Sequence, residues 1–151
     1  RLDASRIVLS GWSHGAWTIM DFLTMDGEKR RPSGMKKTGI SENLTPPQVD
    51  GAILFYPYCG LGARSRFQDW TQSPKTLALI GDADEMVPSE ACISYFERRK
   101  ENSNNVDFVV YDGAHHVFDD PFLEPEWIHW YNEDYHADAI KRYEAFLSSL
   151  N

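Results

Sequence analysis

The sequence has no long hydrophobic run, no excess of basic residues, no internal repeat and only two cysteines. No apolar stretch approaches the roughly 18 residues that a membrane-spanning helix needs, so no membrane partner is expected. With 23 acidic against 15 basic residues, the formal charge of -8 repels polyphosphate and argues against a nucleic-acid partner. Cys59 and Cys92 are too few to indicate a compartment, so localisation stays open between cytoplasm and export.

A chain of 151 residues can bury the core of one domain. It begins with Arg1, and Arg1–Ser5 has neither the charge-then-apolar order nor the cleavage site of a signal peptide. We therefore expect the true N-terminus to lie upstream of Arg1.

Short apolar runs alternate with segments of helical period, which predicts an α/β domain with a parallel sheet. The expected strands are Arg6–Ser10, Gly51–Tyr56, Thr76–Ile80 and Val106–Tyr111. Helices are expected from Gly15 to about Asp26, from near Pro88, and from about Ala137, the last with one apolar face of Ile140, Tyr143, Phe146, Leu147 and Leu150. Residues 28–48, which carry the one basic cluster, are expected to form an irregular, solvated excursion.

The first strand runs into the pentapeptide GWSHG at Gly11–Gly15, which fits G-x-S-x-G between a strand and a helix. A serine on such a sharp turn needs neighbours without side chains, so both glycines are expected to permit close approach. Ser13 is the predicted nucleophile. The backbone N–H of His14, at the positive end of the following helix, is the predicted oxyanion donor. The alternative is a tight turn whose glycines serve packing only.

A serine hydroxyl needs a base with a pKa near 6.5 and a group that orients this base. Asp84 follows the third predicted strand and His116 follows the fourth, at the strand ends where open parallel sheets build their sites. The order Ser, Asp, His is that of α/β-hydrolases. Asp82 and His115 remain alternatives for the acid and the base.

The residues near the histidine loop also allow a metal-site and a substrate-pocket interpretation. His115, His116, Asp119 and Asp120 form a metal-like cluster, but adjacent residues on an extended loop point in opposite directions and no zinc signature is present. No metal is therefore predicted. A run of four aromatic residues is interpreted as cover for the last helix in preference to a wall of a substrate pocket; its members are Trp127, Trp130, Tyr131 and Tyr135.

Five segments together resemble the dienelactone hydrolase family: the strand-to-helix turn GWSHG at Gly11–Gly15 (the elbow), the strand end FYPYC, the acid loop LIGDADEMVP, the histidine loop VVYDGAHHVFD and the closing helix AFLSSL. In that family the acid lies three residues after the loop glycine, which corresponds to Asp84, and the base lies two before a phenylalanine, which corresponds to His116. The founding members use cysteine at the elbow, where this chain has Ser13, so their lactone substrate is not carried over.

The resemblance implies the C-terminal part of a three-layer α/β-hydrolase fold, with further strands before Arg1 that carry the second oxyanion donor. It implies a serine hydrolase that cleaves a small carboxylic ester or lactone through an acyl-enzyme, without a cofactor. The alternatives are a prolyl-oligopeptidase-like peptidase, which shares the elbow and the triad order, and a non-catalytic hydrolase fold that serves binding. Oligomeric state and substrate identity stay open.

The two cysteines follow the second strand and enter the helix after the third strand. If these strands are neighbours, both thiols lie at the same end of the sheet. A disulfide between Cys59 and Cys92 is then geometrically possible.

Overall fold

The computed structural model of the protein describes residues 6–25 and 47–150. The greater part of the basic excursion expected at 28–48 lies outside these residues. The described chain alternates strand and helix in the order β1 (Val8–Trp12), α1 (His14–Leu23), β2 (Gly51–Phe55), β3 (Lys75–Gly81), α2 (Ser89–Asn102), β4 (Val106–Tyr111) and α3 (Glu133–Ser148), with short 3₁₀ turns at Arg64–Arg66 and Ile128–Trp130.

The four strands form one parallel sheet in the order β1-β2-β3-β4. Within the described chain β1 pairs only with β2, so it lies at the edge of the described sheet. Parallel order places the carboxyl ends of all four strands at one edge of the sheet. The loops after β1, β3 and β4, which carry the predicted site residues, therefore meet there.

The sheet is covered on both faces, because alternate residues of each strand point to opposite sides. Ala52 and Leu54 of β2 face a core that α1 and α2 supply, with Met20 and Phe96 fully buried. Ile53 lies in a second core, on the other face, which α3 closes. The three-layer α/β-hydrolase arrangement is confirmed.

Three elements have boundaries that differ from the sequence prediction by two residues or more. Helix α1 ends at Leu23, short of the expected Asp26. Strand β1 begins at Val8 and extends to Trp12, two residues later than expected, because Gly11 and Trp12 still pair with β2. Helix α3 begins at Glu133, ahead of the expected Ala137, because the Asn132 side chain accepts a hydrogen bond from the backbone N–H of Tyr135 and caps the helix.

The predicted apolar face of α3 is only partly correct. Phe146 is buried and Ala139, which was not predicted, is buried beside it. Ile140 and Leu147 are exposed by 47% and 37%. Both line an apolar groove of about 400 Å³ with Trp12 of β1. The apolar face of α3 is therefore wider than the part of the helix that is buried against β2 and β3.

A disulfide joins Cys59 to Cys92, with the Cα atoms 5.0 Å apart. It connects the segment after β2 to the second turn of α2. The prediction that both sulfurs lie at one end of the sheet is confirmed.

No helix in residues 6–25 and 47–150 is long and apolar enough to cross a membrane.

Candidate active site

The elbow serine lies in strained backbone geometry. Ser13 has φ of 49°, in the left-handed region that side chains other than glycine rarely adopt, and it occupies the N-cap of α1. A serine at this position commonly caps the helix through its hydroxyl, but Ser13 makes no such bond. Its N–H donates to the Phe55 carbonyl at 2.9 Å, which anchors the turn to β2. The hydroxyl is thereby free for another partner.

That partner is His116 on the loop after β4. His116 Nε2 lies 2.9 Å from Ser13 Oγ, and His116 Nδ1 lies 2.6 Å from Asp84 Oδ2. A carboxylate oxygen can only accept, so Nδ1 carries the proton and Nε2 accepts from the serine hydroxyl. The three side chains form one hydrogen-bonded chain across three loops.

Hydrogen bonds to the second carboxylate oxygen of Asp84 hold this side chain in place. Its Oδ1 accepts the backbone N–H groups of Met86 and Val87, at 2.8 and 3.0 Å. The side chains of Asp84 and His116 are only 1% and 5% exposed. Because both carboxylate oxygens are engaged, the imidazole has one defined orientation relative to Ser13.

The two alternative residues have other contacts. Asp82 Oδ1 accepts the Gly113 N–H at 2.6 Å and joins the acid loop to the histidine loop. The His115 ring stacks on Trp130, with centroids 5.9 Å apart. The structure brings Asp84 and His116, in preference to Asp82 and His115, to Ser13.

Asp119 connects the histidine loop to the elbow, which sequence reasoning missed. Its carboxylate accepts from Trp12 Nε1 and from the Tyr56 hydroxyl, both at 2.9 Å. The Tyr56 ring in turn packs on the His116 ring, with centroids 4.6 Å apart. Burial, and then the negative charge of Asp119, raise the pKa of Tyr56 well above its ordinary value, so its hydroxyl stays a donor. The only sequence signal was an acidic residue three positions after the predicted base.

Backbone strain is concentrated in these same segments. Besides Ser13, the non-glycine residues with positive φ in the described chain are Tyr56 at 37° and Val117 at 53°. Tyr56 touches His116 and Val117 follows it. A β-branched residue in this region is an outlier, and such strain is typical of functional sites that the surrounding fold holds in place.

His14 is the first residue of α1, so the helix offers no acceptor for its backbone N–H. This N–H lies next to Ser13 at the positive end of the helix dipole, as the sequence predicts. The His14 ring is exposed and contacts Trp17, whose ring contacts Tyr58. These aromatic rings make one apolar flank beside the elbow.

Part of the aromatic run after the histidine loop packs against protein, whereas Trp127 is 45% exposed. Trp130 is buried against His115, and the Tyr135 hydroxyl donates to the Asp112 carbonyl at 2.7 Å. These contacts support the histidine loop and the start of α3. No group of three or more His, Cys, Asp or Glu side chains suited to a metal ion occurs among residues 6–25 and 47–150.

The sequence model of the dienelactone hydrolase family matches residues 39–150. The chain belongs to the dienelactone hydrolase family. The match covers the acid loop and the histidine loop but begins after the elbow. The role proposed for Ser13 therefore depends on its geometry in the structure and not on the family match. No curated protein sequence matches the chain.

Solved structures share the fold of this family member. Esterase 2 of Thermogutta terrifontis superposes with a TM-score of 0.59 at 22% identity, covering 96% of this chain and 56% of the esterase. A Klebsiella pneumoniae protein provisionally named a dienelactone hydrolase superposes with a TM-score of 0.63 at 16% identity, covering 97% and 53%. The chain thus spans a little over half the length of these structures.

The two elbow glycines differ in what surrounds them, against the expectation that both permit close approach. A Cβ on Gly11 would lie 2.6 Å from the backbone of Gly15 and Ala16, whereas a Cβ on Gly15 would meet nothing within 4 Å. We expect Gly11→Ala to lower the free energy of unfolding by about 3 kcal/mol, since backbone cannot move aside as a side chain can. Gly15→Ala is the matched control and should leave the free energy of unfolding unchanged or raise it by up to about 1 kcal/mol, since alanine is the better helix former. Urea denaturation measures both, and equal losses would contradict the assignment of close packing to Gly11 alone.

Proposed function

We propose that this chain carries the catalytic centre of a serine hydrolase that cleaves small carboxylic esters or lactones. Ser13 is the nucleophile, His116 the general base and then acid, and Asp84 the group that orients the imidazole. The observation that carries the proposal is the continuous hydrogen-bonded chain from Ser13 Oγ through His116 to Asp84 Oδ2.

In the first step Ser13 Oγ attacks the ester carbonyl carbon while His116 Nε2 takes the hydroxyl proton. The carbonyl oxygen becomes an oxyanion, which the His14 N–H and the helix terminus stabilise. The C–O bond to the alcohol then breaks, and the leaving oxygen takes the proton from His116. The product is an acyl-Ser13 ester.

In the second step water attacks the acyl carbon and gives a proton to His116. The acyl–Oγ bond breaks, and Ser13 recovers this proton. Asp84 stays ionised throughout and stabilises the imidazolium that forms twice. No cofactor enters the reaction as proposed.

The relatives supply a choice of acyl group. Structures of the Thermogutta esterase contain bound propionate and bound butyrate, and another is phosphorylated by paraoxon. These compounds support short-chain acyl esters as first substrates and an organophosphorus compound as first probe.

We expect a fluorophosphonate probe to label Ser13 in the full-length protein, because an unactivated serine does not react. Mass spectrometry of the labelled peptide identifies the site, and His116→Ala should prevent labelling. Parallel assays with p-nitrophenyl butyrate and a peptide p-nitroanilide separate an esterase from a peptidase. A folded protein that the probe leaves unlabelled would support the non-catalytic alternative and refute the proposal.

A further inference from the structure

The reaction as proposed removes one of the two hydrogen bonds that hold the His116 imidazole. In the free protein Nε2 accepts from Ser13 Oγ at 2.9 Å and Nδ1 donates to Asp84 at 2.6 Å. Once Ser13 Oγ carries the acyl group, it has no hydrogen left to donate. His116 must then take a proton from water while only Asp84 holds it by a hydrogen bond. A contact that does not depend on Ser13 is therefore needed to keep the ring in place.

The Tyr56 ring supplies such a contact. It packs on the His116 ring with centroids 4.6 Å apart and the ring planes inclined at 59°. Tyr56 is only 3% exposed, and its ring also contacts the fully buried Phe118 ring at 5.7 Å. The contact between Tyr56 and His116 involves neither Ser13 nor Asp84. The position of the imidazole after acylation therefore depends on where the Tyr56 ring lies.

Tyr56 is held in a backbone conformation that tyrosine rarely adopts. Its φ of 37° lies in the left-handed region, which residues other than glycine seldom occupy. At one end its backbone N–H donates to the Leu79 carbonyl of β3 at 2.7 Å. At the other end its hydroxyl donates to Asp119 Oδ1 at 2.9 Å. Such strain persists only where the surrounding structure holds it, and Asp119 is the partner that holds the end of the ring.

Asp119 is in turn fixed from two sides. Its Oδ2 accepts from Trp12 Nε1 at 2.9 Å, and the Trp12 ring stacks on the Phe55 ring at 4.8 Å. Its backbone carbonyl accepts from His136 Nδ1, on α3, at 2.5 Å. The carboxylate therefore connects the elbow to Tyr56, but it forms no hydrogen bond with the proposed triad itself.

We propose that Asp119 is a positioning residue, which holds the His116 imidazole through the Tyr56 ring while Ser13 carries the acyl group. This role rests on the proposed function, because it belongs to the second step of that reaction. In the free protein both hydrogen bonds of His116 are in place, so the loss of Asp119 affects acylation little. In the acyl-enzyme the ring then has one hydrogen bond and an unsupported face, so it turns away from the attacking water.

Asp119→Ala in the full-length protein should lower kcat for p-nitrophenyl butyrate by about 10², because a misplacement of about 1 Å can cost this much. The p-nitrophenolate group leaves easily, so deacylation limits kcat, whereas kcat/KM reports acylation. We expect kcat/KM to fall by less than about tenfold, and KM to fall with kcat. A burst of p-nitrophenol shows that the acyl-enzyme accumulates. Equal losses of kcat and kcat/KM would overturn the proposal.

Asp119→Asn separates the loss of these hydrogen bonds from the loss of a charge. Its side-chain oxygen can accept from Trp12 while its NH2 group donates to the Tyr56 hydroxyl, which can also accept. Asp119→Asn should therefore recover most of the kcat that Asp119→Ala loses. If the two variants are equally slow, the hydrogen bonds of Asp119 do not position the ring and the proposal is wrong.

A second pair of variants removes one tyrosine hydroxyl each. Tyr56→Phe loses the hydrogen bond to Asp119 and should lower kcat by about tenfold. Tyr111→Phe is the matched control, since the Tyr111 hydroxyl donates to Asp138, likewise at 2.9 Å. The Tyr111 ring packs on Phe118 and not on His116, so its kcat should not change. Equal values of kcat in the two variants would contradict a role of Asp119 that acts through Tyr56.

Nuclear magnetic resonance tests the positioning role without catalysis. Ser13→Ala removes the hydrogen that acylation also removes, and it leaves His116 with Asp84 and Tyr56. The low-field proton resonance of His116 Nδ1–H, identified by its absence in His116→Ala, should persist in Ser13→Ala and in Ser13→Ala/Asp119→Asn. It should broaden through exchange with water in Ser13→Ala/Asp119→Ala, since the ring is no longer held. A sharp resonance in that variant, or none in Ser13→Ala itself, would overturn the proposal.

Failure of the proposed function and failure of the positioning role give different results. A wild type that cleaves no ester would refute the proposed function, and the resonance of His116 would still decide the role of Asp119. An active wild type in which Asp119→Ala keeps full kcat would refute the positioning role alone.

Discussion

Ser13→Ala and His116→Ala should each lower kcat for p-nitrophenyl butyrate by about 10⁶, and Asp84→Asn by about 10⁴, in the full-length protein. Residues that act as one unit lose nearly the whole catalytic advantage when any member is removed. The Asp84→Asn variant should lose less kcat because the imidazole can still act as a base when it is less well oriented. Initial rates and KM for each variant are the measurement, with circular dichroism to check folding.

The acid loop and the histidine loop contain their own controls. Asp82→Asn keeps an oxygen that can accept the Gly113 N–H, so it should stay within about tenfold of the wild type, as should His115→Ala. If His115→Ala is inactive while His116→Ala is active, the assigned base is wrong. If Asp82→Asn loses as much activity as Asp84→Asn, the hydrogen bond that His116 Nδ1–H donates to Asp84 is not what orients the imidazole.

Reduction of the disulfide between Cys59 and Cys92 should lower the free energy of unfolding by about 3–4 kcal/mol. The bond closes a loop with a sequence separation of 33, and the chain-entropy relation gives this magnitude for such a loop. For a domain of this size the corresponding fall in Tm is about 10 °C. Thermal unfolding with and without dithiothreitol measures it.

The double variant Cys59→Ala/Cys92→Ala is the control for reductant effects elsewhere. Its Tm should be low and independent of dithiothreitol. Both cysteines are at most 1% exposed, so alanine also leaves small voids. The reductant comparison on the wild type is therefore the cleaner measurement. A wild-type Tm that reductant leaves unchanged would contradict a bonded pair.

The sequence alone determined what depends on local chain properties. The β-branched run before Gly11 and the helical period after Gly15 predicted a strand, a turn and a helix, because side-chain branching and hydrophobic spacing act within a few residues. The end of β4 at Tyr111 followed in the same way, and the alternation of strands and helices predicted a parallel sheet. Ser13, Asp84 and His116 each follow a predicted strand. The rule that parallel strands end at one edge of the sheet then predicted that the three residues lie close together.

The choice between neighbours needed the tertiary structure. Asp82 and Asp84 lie on one loop, and only the placement of that loop against His116 gives one of them the imidazole and the other the Gly113 N–H. The same applies to His115 and His116, because consecutive side chains point in different directions and the sequence does not say which faces Ser13.

The tertiary structure also decided the contacts between segments far apart in sequence. Asp119 accepts a hydrogen bond from Trp12 across 107 positions, and the Arg99 guanidinium packs on the Trp70 ring from a loop and on the Tyr95 ring from the same helix. Gly11 has no room for a side chain because the backbone of α1 approaches it, whereas Gly15 has open space around it. Such contacts depend on how packed elements are positioned in space, and no periodicity or motif records this. The sequence therefore determined which residue types are available at the sheet edge, and packing determined which of them meet.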